Sequence, residues 1–181
     1  MRGGNGYVEE WVNARLLRDS YLGAIWEGAT SVVALDVQRA IVRERCHEAL
    51  FACIASRLQD VTEPAAKPWV DVVVQAVEGL KRRIDVWAAL SHEELELEAK
   101  PAADLLYHLL AASLLLHEGQ TLRDGAQDFR KLLVGALYVQ RWLAARDPNA
   151  PPFAARDLAS LDALIAWTPV PKTALGSRAS Q

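Results

Sequence analysis

The chain has 181 residues, 51% of them hydrophobic and 24% charged, with a formal net charge of -3. That length suits one domain with a sizeable core, and the composition is that of an ordinary, mildly acidic globular protein. The balance argues against a nucleic-acid surface, which needs clustered Lys and Arg; the basic run Lys81-Arg82-Arg83 reads as a solvated helix face.

Cys46 and Cys53 lie about 10 Å apart along one predicted helix, so they cannot pair with each other. They read as buried small apolar side chains in a reducing compartment. The sequence shows no leader-like stretch and no uncharged apolar run of membrane length, so the cytoplasm is the expected location, with no membrane partner.

Three glycines within residues 1 to 6 predict a loop. Tyr7 to Arg18 follows as a short helix with Trp11 and Leu16 or Leu17 inward, then a bend at Ser20 to Gly23. From Ala29 the three-and-four spacing of Val33, Val37, Ile41, Cys46, Leu50, Cys53 or Ile54, and Leu58 predicts one amphipathic helix to Gln59. Thr62 to Pro68 is a linker, and Pro68 opens a second long helix whose inward stripe is Val70, Val73, Val74, Val77, Leu80, Ile84 and Trp87.

Ser91-His92-Glu93-Glu94 is a cap with an acidic first turn. Pro101 starts or interrupts the next helix, whose Leu105, Leu106, Leu109, Leu110, Leu114, Leu115 and Leu116 make it apolar on nearly every side and therefore central. Asp124 with Gln127 forms a capping pair for a helix that turns Phe129, Leu132, Leu133, Ala136, Val139 and Leu143 inward. Asp147 to Pro152 breaks the pattern, and a last helix runs from Phe153 to Trp167. His108 and His117 are not spaced as a four-apart metal pair, so no metal is expected.

Glu27 is a single carboxylate among apolar neighbours in Ala24-Ile25-Trp26-Glu27-Gly28. Shut into an apolar pocket by a bound substrate, such a group has its pKa raised towards neutrality and can take a proton from a weak carbon acid. The plainer reading is a first-turn acid facing the positive end of a helix dipole.

Around it stand Gly3-Gly4-Asn5-Gly6-Tyr7, Glu9-Glu10, Arg15, Arg18-Asp19, and Ala34-Leu35-Asp36-Val37 followed by Arg39. In that order and spacing these elements resemble the C-terminal domain of the flavin-dependent acyl-CoA dehydrogenases. The Trp-Glu-Gly spelling with Ala-Leu-Asp-Val downstream is most similar to the branch that includes alkylation-response proteins.

The resemblance implies that Glu27 is the base that removes the α-proton of an acyl-CoA while a β-hydride passes to FAD, with Gly28 at the substrate. It implies that Gly3 and Gly4 approach the FAD of a neighbouring subunit. Ala29, Thr30 and Ser31 occupy the family's flavin-contact positions, where many members carry Thr-x-Gln.

The expected fold is all-α: an antiparallel bundle of about four long helices behind an N-terminal motif-bearing loop and short helix. Residues 1 to 30 would hold the glycine-rich loop and catalytic motif, 31 to 167 the bundle, and 168 to 181 a disordered tail. The chain is expected to be part of a larger dehydrogenase-like flavoprotein, inactive alone and homo-oligomeric. The alternative is a non-catalytic helical self-association module, and a nucleic-acid-binding segment ranks last.

Overall fold

Ser91 opens the helix around which the others are arranged. In this computed structural model, which describes residues 3–26, 28–145 and 161–176, the Ser91 hydroxyl accepts the Glu94 N–H while the Glu94 carboxylate accepts the Ser91 N–H at 2.8 Å. This reciprocal cap satisfies donors that a helix start leaves open. It launches α5, His92–Ala126, a helix of 35 residues. α5 runs through Pro101 without stopping. The carbonyl that loses its partner there belongs to Leu97, which is 76% exposed, so water can satisfy it.

Four other helices pack on α5: α2 (Thr30–Glu44), α3 (Cys46–Gln59), α4 (Lys67–Asp85) and α6 (Arg130–Trp142). No strand occurs among the described residues, and the architecture is an all-α bundle. Its core runs through Phe51, Ile54, Val73, Leu80, Leu109, Leu116, Leu132 and Val139, all buried. The stripes read from the sequence on α4 and α6 are the inward faces, apart from Val74, which is 44% exposed. None of the described helices is long and apolar enough to cross a membrane.

The closest approach is between α5 and α6. A Cβ on Gly119 of α5 would stand 2.6 Å from the Leu132 backbone nitrogen, and one on Gly135 of α6 would stand 3.0 Å from Leu116 Cδ2. Each glycine is thus a notch for a leucine of the facing helix. Residues rising along α5 meet residues falling along α6, so the pair is antiparallel.

The predicted single helix over 29–59 is two. Arg45 adopts the left-handed conformation (φ 53°, ψ 31°), its N–H closing α2 on the Ile41 carbonyl at 3.1 Å before α3 begins at Cys46. The break leaves Cys46 exposed on the first residue of a helix, and Cys53 is half-buried beside the Arg57 guanidinium, so neither is the fully buried side chain expected.

The capping pair at the start of α6 also differs from expectation. Gln127 ends α5 in the left-handed region, Asp124 accepts from Gln120, and it is Asp128 that receives the Arg130 N–H at 2.9 Å.

Helix α1 spans Val12–Trp26 without the expected bend at Ser20 to Gly23. Trp11, Leu16 and Leu17, expected inward, are 51%, 56% and 57% exposed. The packing partner of α1 is the 3-10 turn Gly3–Gly6 before it, and none of the described bundle helices packs on it extensively.

The end of the chain departs from expectation in the opposite direction. Residues 168–176 are ordered against the bundle, Val170 and Leu175 are in the core, and Thr173–Gly176 forms a helical turn. Arg130 holds the approach to this strap through the Leu164 carbonyl at 2.9 Å and the Thr168 carbonyl at 2.5 Å. The break at 147–152 and most of the predicted last helix lie outside the described residues, as does the rest of the predicted tail, 177–181.

The glycine notch sets a stability contrast. Gly119→Ala forces a methyl group into the Leu132 backbone and should destabilise by about 1–3 kcal/mol. Gly79→Ala, where a Cβ meets only the Arg82 guanidinium at 3.9 Å, should stabilise by about 0.4–1 kcal/mol. Thermal unfolding of the two variants beside the parent checks both signs.

Candidate functional site

The motif segment occupies the junction of α1 and α2. Glu27 itself lies outside the described residues. Gly28 takes φ 98°, which L side chains rarely adopt, and a Cβ there would meet only Val32 at 3.8 Å. The glycine is therefore required by backbone conformation and not by lack of space. Ala29 is extended and precedes the first turn of α2, its carbonyl accepting from the Val32 N–H at 2.8 Å. No side chain caps that turn, so Thr30 and Ser31 present uncapped amides on an exposed helix start.

Gly3 and Gly4 belong to the 3-10 turn that packs on α1 and shares no extended contact with α2. A Cβ on Gly4 would find nothing within 4 Å. Gly28, Ala29, Thr30 and Ser31 are consecutive at the start of α2, and among the described residues the glycine turn makes no extensive contact with that helix.

Beside Ser31 an open groove of about 440 Å³ runs between α2 and the first turns of α5, with Ala34, Leu35, Leu97 and Ala99 as apolar lining and Glu93, Glu96 and Lys100 on the polar side. Gln38 fixes the two helices beneath it by donating to the Leu95 carbonyl. Sequence reasoning missed this groove because its walls are far apart in the chain.

A second constellation, also missed, surrounds Glu63, whose residue is 1% exposed in the connection from α3 to α4. Its Oε1 accepts from Lys172 at 2.8 Å and from the Ala65 N–H at 3.2 Å. Arg123 Nη2 stands 3.1 Å from Oε2, at ion-pair distance but outside hydrogen-bond geometry. Gln120 accepts the Glu63 N–H at 2.9 Å and donates to Asp124 at 3.0 Å.

Burial pushes the Glu63 carboxyl upward and is the largest single influence. The hydrogen bonds from Lys172 and Ala65, with the charges of Lys172 and Arg123, together outweigh it and hold the carboxyl below the usual glutamate range. The available signal was an acid directly before Pro64, in a short connection that also holds Asp60 and Thr62. Its main partner lay in a stretch that read as tail.

His108 and His117 have unrelated surroundings. His108 Nδ1 is 2.8 Å from the Tyr138 hydroxyl, and its ring stacks on Trp142 at 4.5 Å. Burial, then Tyr107, pushes the Tyr138 phenol upward. His117 faces the Arg57 carbonyl and Asp60 at 3.3 and 3.5 Å. Among the described residues no three His, Cys, Asp or Glu side chains are grouped to hold a metal ion.

Comparisons of the chain with protein-family models, curated proteins and solved structures find no match.

The Glu63 cluster reads as a structural lock with a defined pH response. Its folded pKa is depressed, so its contribution is complete above the unfolded glutamate value and is lost as pH falls through the folded value. Glu63→Gln should cost about 2 kcal/mol at neutral pH, the range for a hydrogen bond to a charged group, and should flatten the acid limb of stability. Urea unfolding from neutral to acidic pH checks this; parallel curves for parent and variant would contradict it.

Proposed function

We propose that this chain is a C-terminal helical segment of an acyl-CoA dehydrogenase-like flavoprotein, acting in the cytoplasm as part of a homo-oligomer. The observation that carries the reading is the ordered run of motif residues from Gly3 to Arg39 in the sequence, in which Trp26 ends α1 and Gly28 precedes α2. In this reading Glu27 is the general base. Its carboxylate takes the α-proton of an acyl-CoA thioester, and Gly28 beside it takes φ 98°, a backbone conformation that favours glycine.

FAD supplies the hydride acceptor when the flavin-bearing domains are present. In this reading the chain alone is inactive, because flavin capture in the resembled family also draws on residues of the barrel and the earlier helices. Ala29, Thr30 and Ser31 contribute main-chain donors rather than the amide side chain found in many relatives of that family.

A second reading, a helical self-association module without chemistry, is favoured by one specific feature. α1 and its approach expose Tyr7 (89%), Trp11, Leu16, Tyr21, Leu22 and Trp26 (75%) in one stretch. Apolar surface concentrated in this way marks a contact region. The two readings share the oligomer and differ in whether Glu27 moves a proton.

Two measurements separate them. FAD added to the purified chain should keep its free spectrum, and a tightly bound yellow complex would contradict the statement that the chain alone is incomplete. Supplied with flavin-bearing dehydrogenase domains, the chain should support deuterium exchange at the α-carbon of an acyl-CoA and single-turnover flavin bleaching. Glu27→Gln should slow both by about 10²–10⁴-fold without loss of ligand binding. Near-normal exchange in that variant would remove Glu27 from the role of base and leave the module reading.

A further inference from the structure

Two unmatched surfaces lie at the start of the bundle. One is α1, with Leu22 and Leu16 more than half exposed and Trp26 75% exposed at its end. The other is the α2–α5 groove, with Ala34 and Ala99 as its floor and Leu97, 76% exposed, on its wall. The connection from Trp26 to Thr30 is of the length that ordinarily folds two helices into an antiparallel hairpin. Yet α1 makes no extensive contact with α2, and Gly28 in the connection takes φ 98°.

An extended arm on a short glycine connection, beside an open seat of matching character, is the geometry of segment exchange between identical chains. Charge favours the same match. The groove carries Glu93 and Glu96 against the single cation Lys100, whereas α1 carries Arg15 and Arg18 against the single acid Asp19. Among the described residues those arginines pair with exposed acids of their own segment, Asp19 at 3.6 Å and Glu9 at 2.9 Å. Exposed pairs of this kind exchange partners at little cost.

We infer that two copies of this chain exchange α1, each arm seating its apolar side in the α2–α5 groove of the other with Arg15 and Arg18 towards Glu93 and Glu96. The inference rests on the self-association proposed above and names its contact. By two-fold symmetry each arm-and-groove contact is made twice.

The test combines mass with proximity. Light scattering on the parent should give a dimer, and Leu97→Glu, on an exposed wall where the fold tolerates it, should raise the dimer dissociation constant at least tenfold with unchanged circular dichroism. In a Cys46→Ser, Cys53→Ala background, Leu22→Cys with Leu97→Cys should be joined between chains by a flexible bismaleimide. Two chains of different tag length then give a mixed product. A monomeric parent overturns the exchange and the self-association beneath it. A dimer indifferent to Leu97→Glu, or one without the interchain product, overturns the exchange alone. An intrachain product at monomer mass does so too, because the arm has then returned to its own groove.

Discussion

The close approach of α5 and α6 is the constraint on which the bundle depends. Gly119 and Gly135 each lack the one carbon that would hold the helices apart, and Leu132 and Leu116 fill the notches. Ala112 and Ser113 on α5 and Ala136 on α6 are fully buried as well. Because interiors are packed as densely as crystals, a seam of small residues fixes helix separation more tightly than one of large, adaptable side chains. α4 packs on both members of the pair, and α2 and α3 pack on the exposed length of α5, so their positions follow from it.

Amphipathic spacing made much of this legible in the sequence. Val70, Val73, Val77 and Leu80 on α4, and Leu132, Leu133, Ala136 and Val139 on α6, are buried where periodicity puts them. The Ser91 cap was equally readable, since its two partners are three residues apart. The failures share another cause. Arg45 turns left-handed with neither glycine nor proline to announce it. A helical glycine such as Gly119 reads locally as a weak point, and only the facing Leu132 makes it a contact. Lys172 reads as tail composition until Glu63 is found waiting for it. Local pattern carries face and cap; it does not carry the identity of a distant partner.

The same division runs through the candidate site. The order of motif residues from Gly3 to Arg39 is a property of the sequence, and the positive φ of Gly28 gives one of them a physical reason. The groove beside Ser31 is a product of tertiary contact between α2 and α5. A motif segment on an arm that the bundle does not cover, next to a seat that the bundle does provide, ties any chemistry at this end to what occupies that seat. The two proposed readings share an assembly, and only one of them adds chemistry to it.

The lock between Glu63 and Lys172 has a temporal meaning as well. A carboxylate that is almost fully buried in the finished fold faces water until the strap bearing Val170, Lys172 and Leu175 arrives. Among the described residues α2 through α6 all precede that strap in the chain, and the strap packs into the core that holds Ala66 and Phe129. Contacts of such long sequence separation form late, after the loop entropy has been met by earlier packing. The carboxylate of Glu63 therefore gains its Lys172 partner only when a segment more than a hundred residues further along the chain docks.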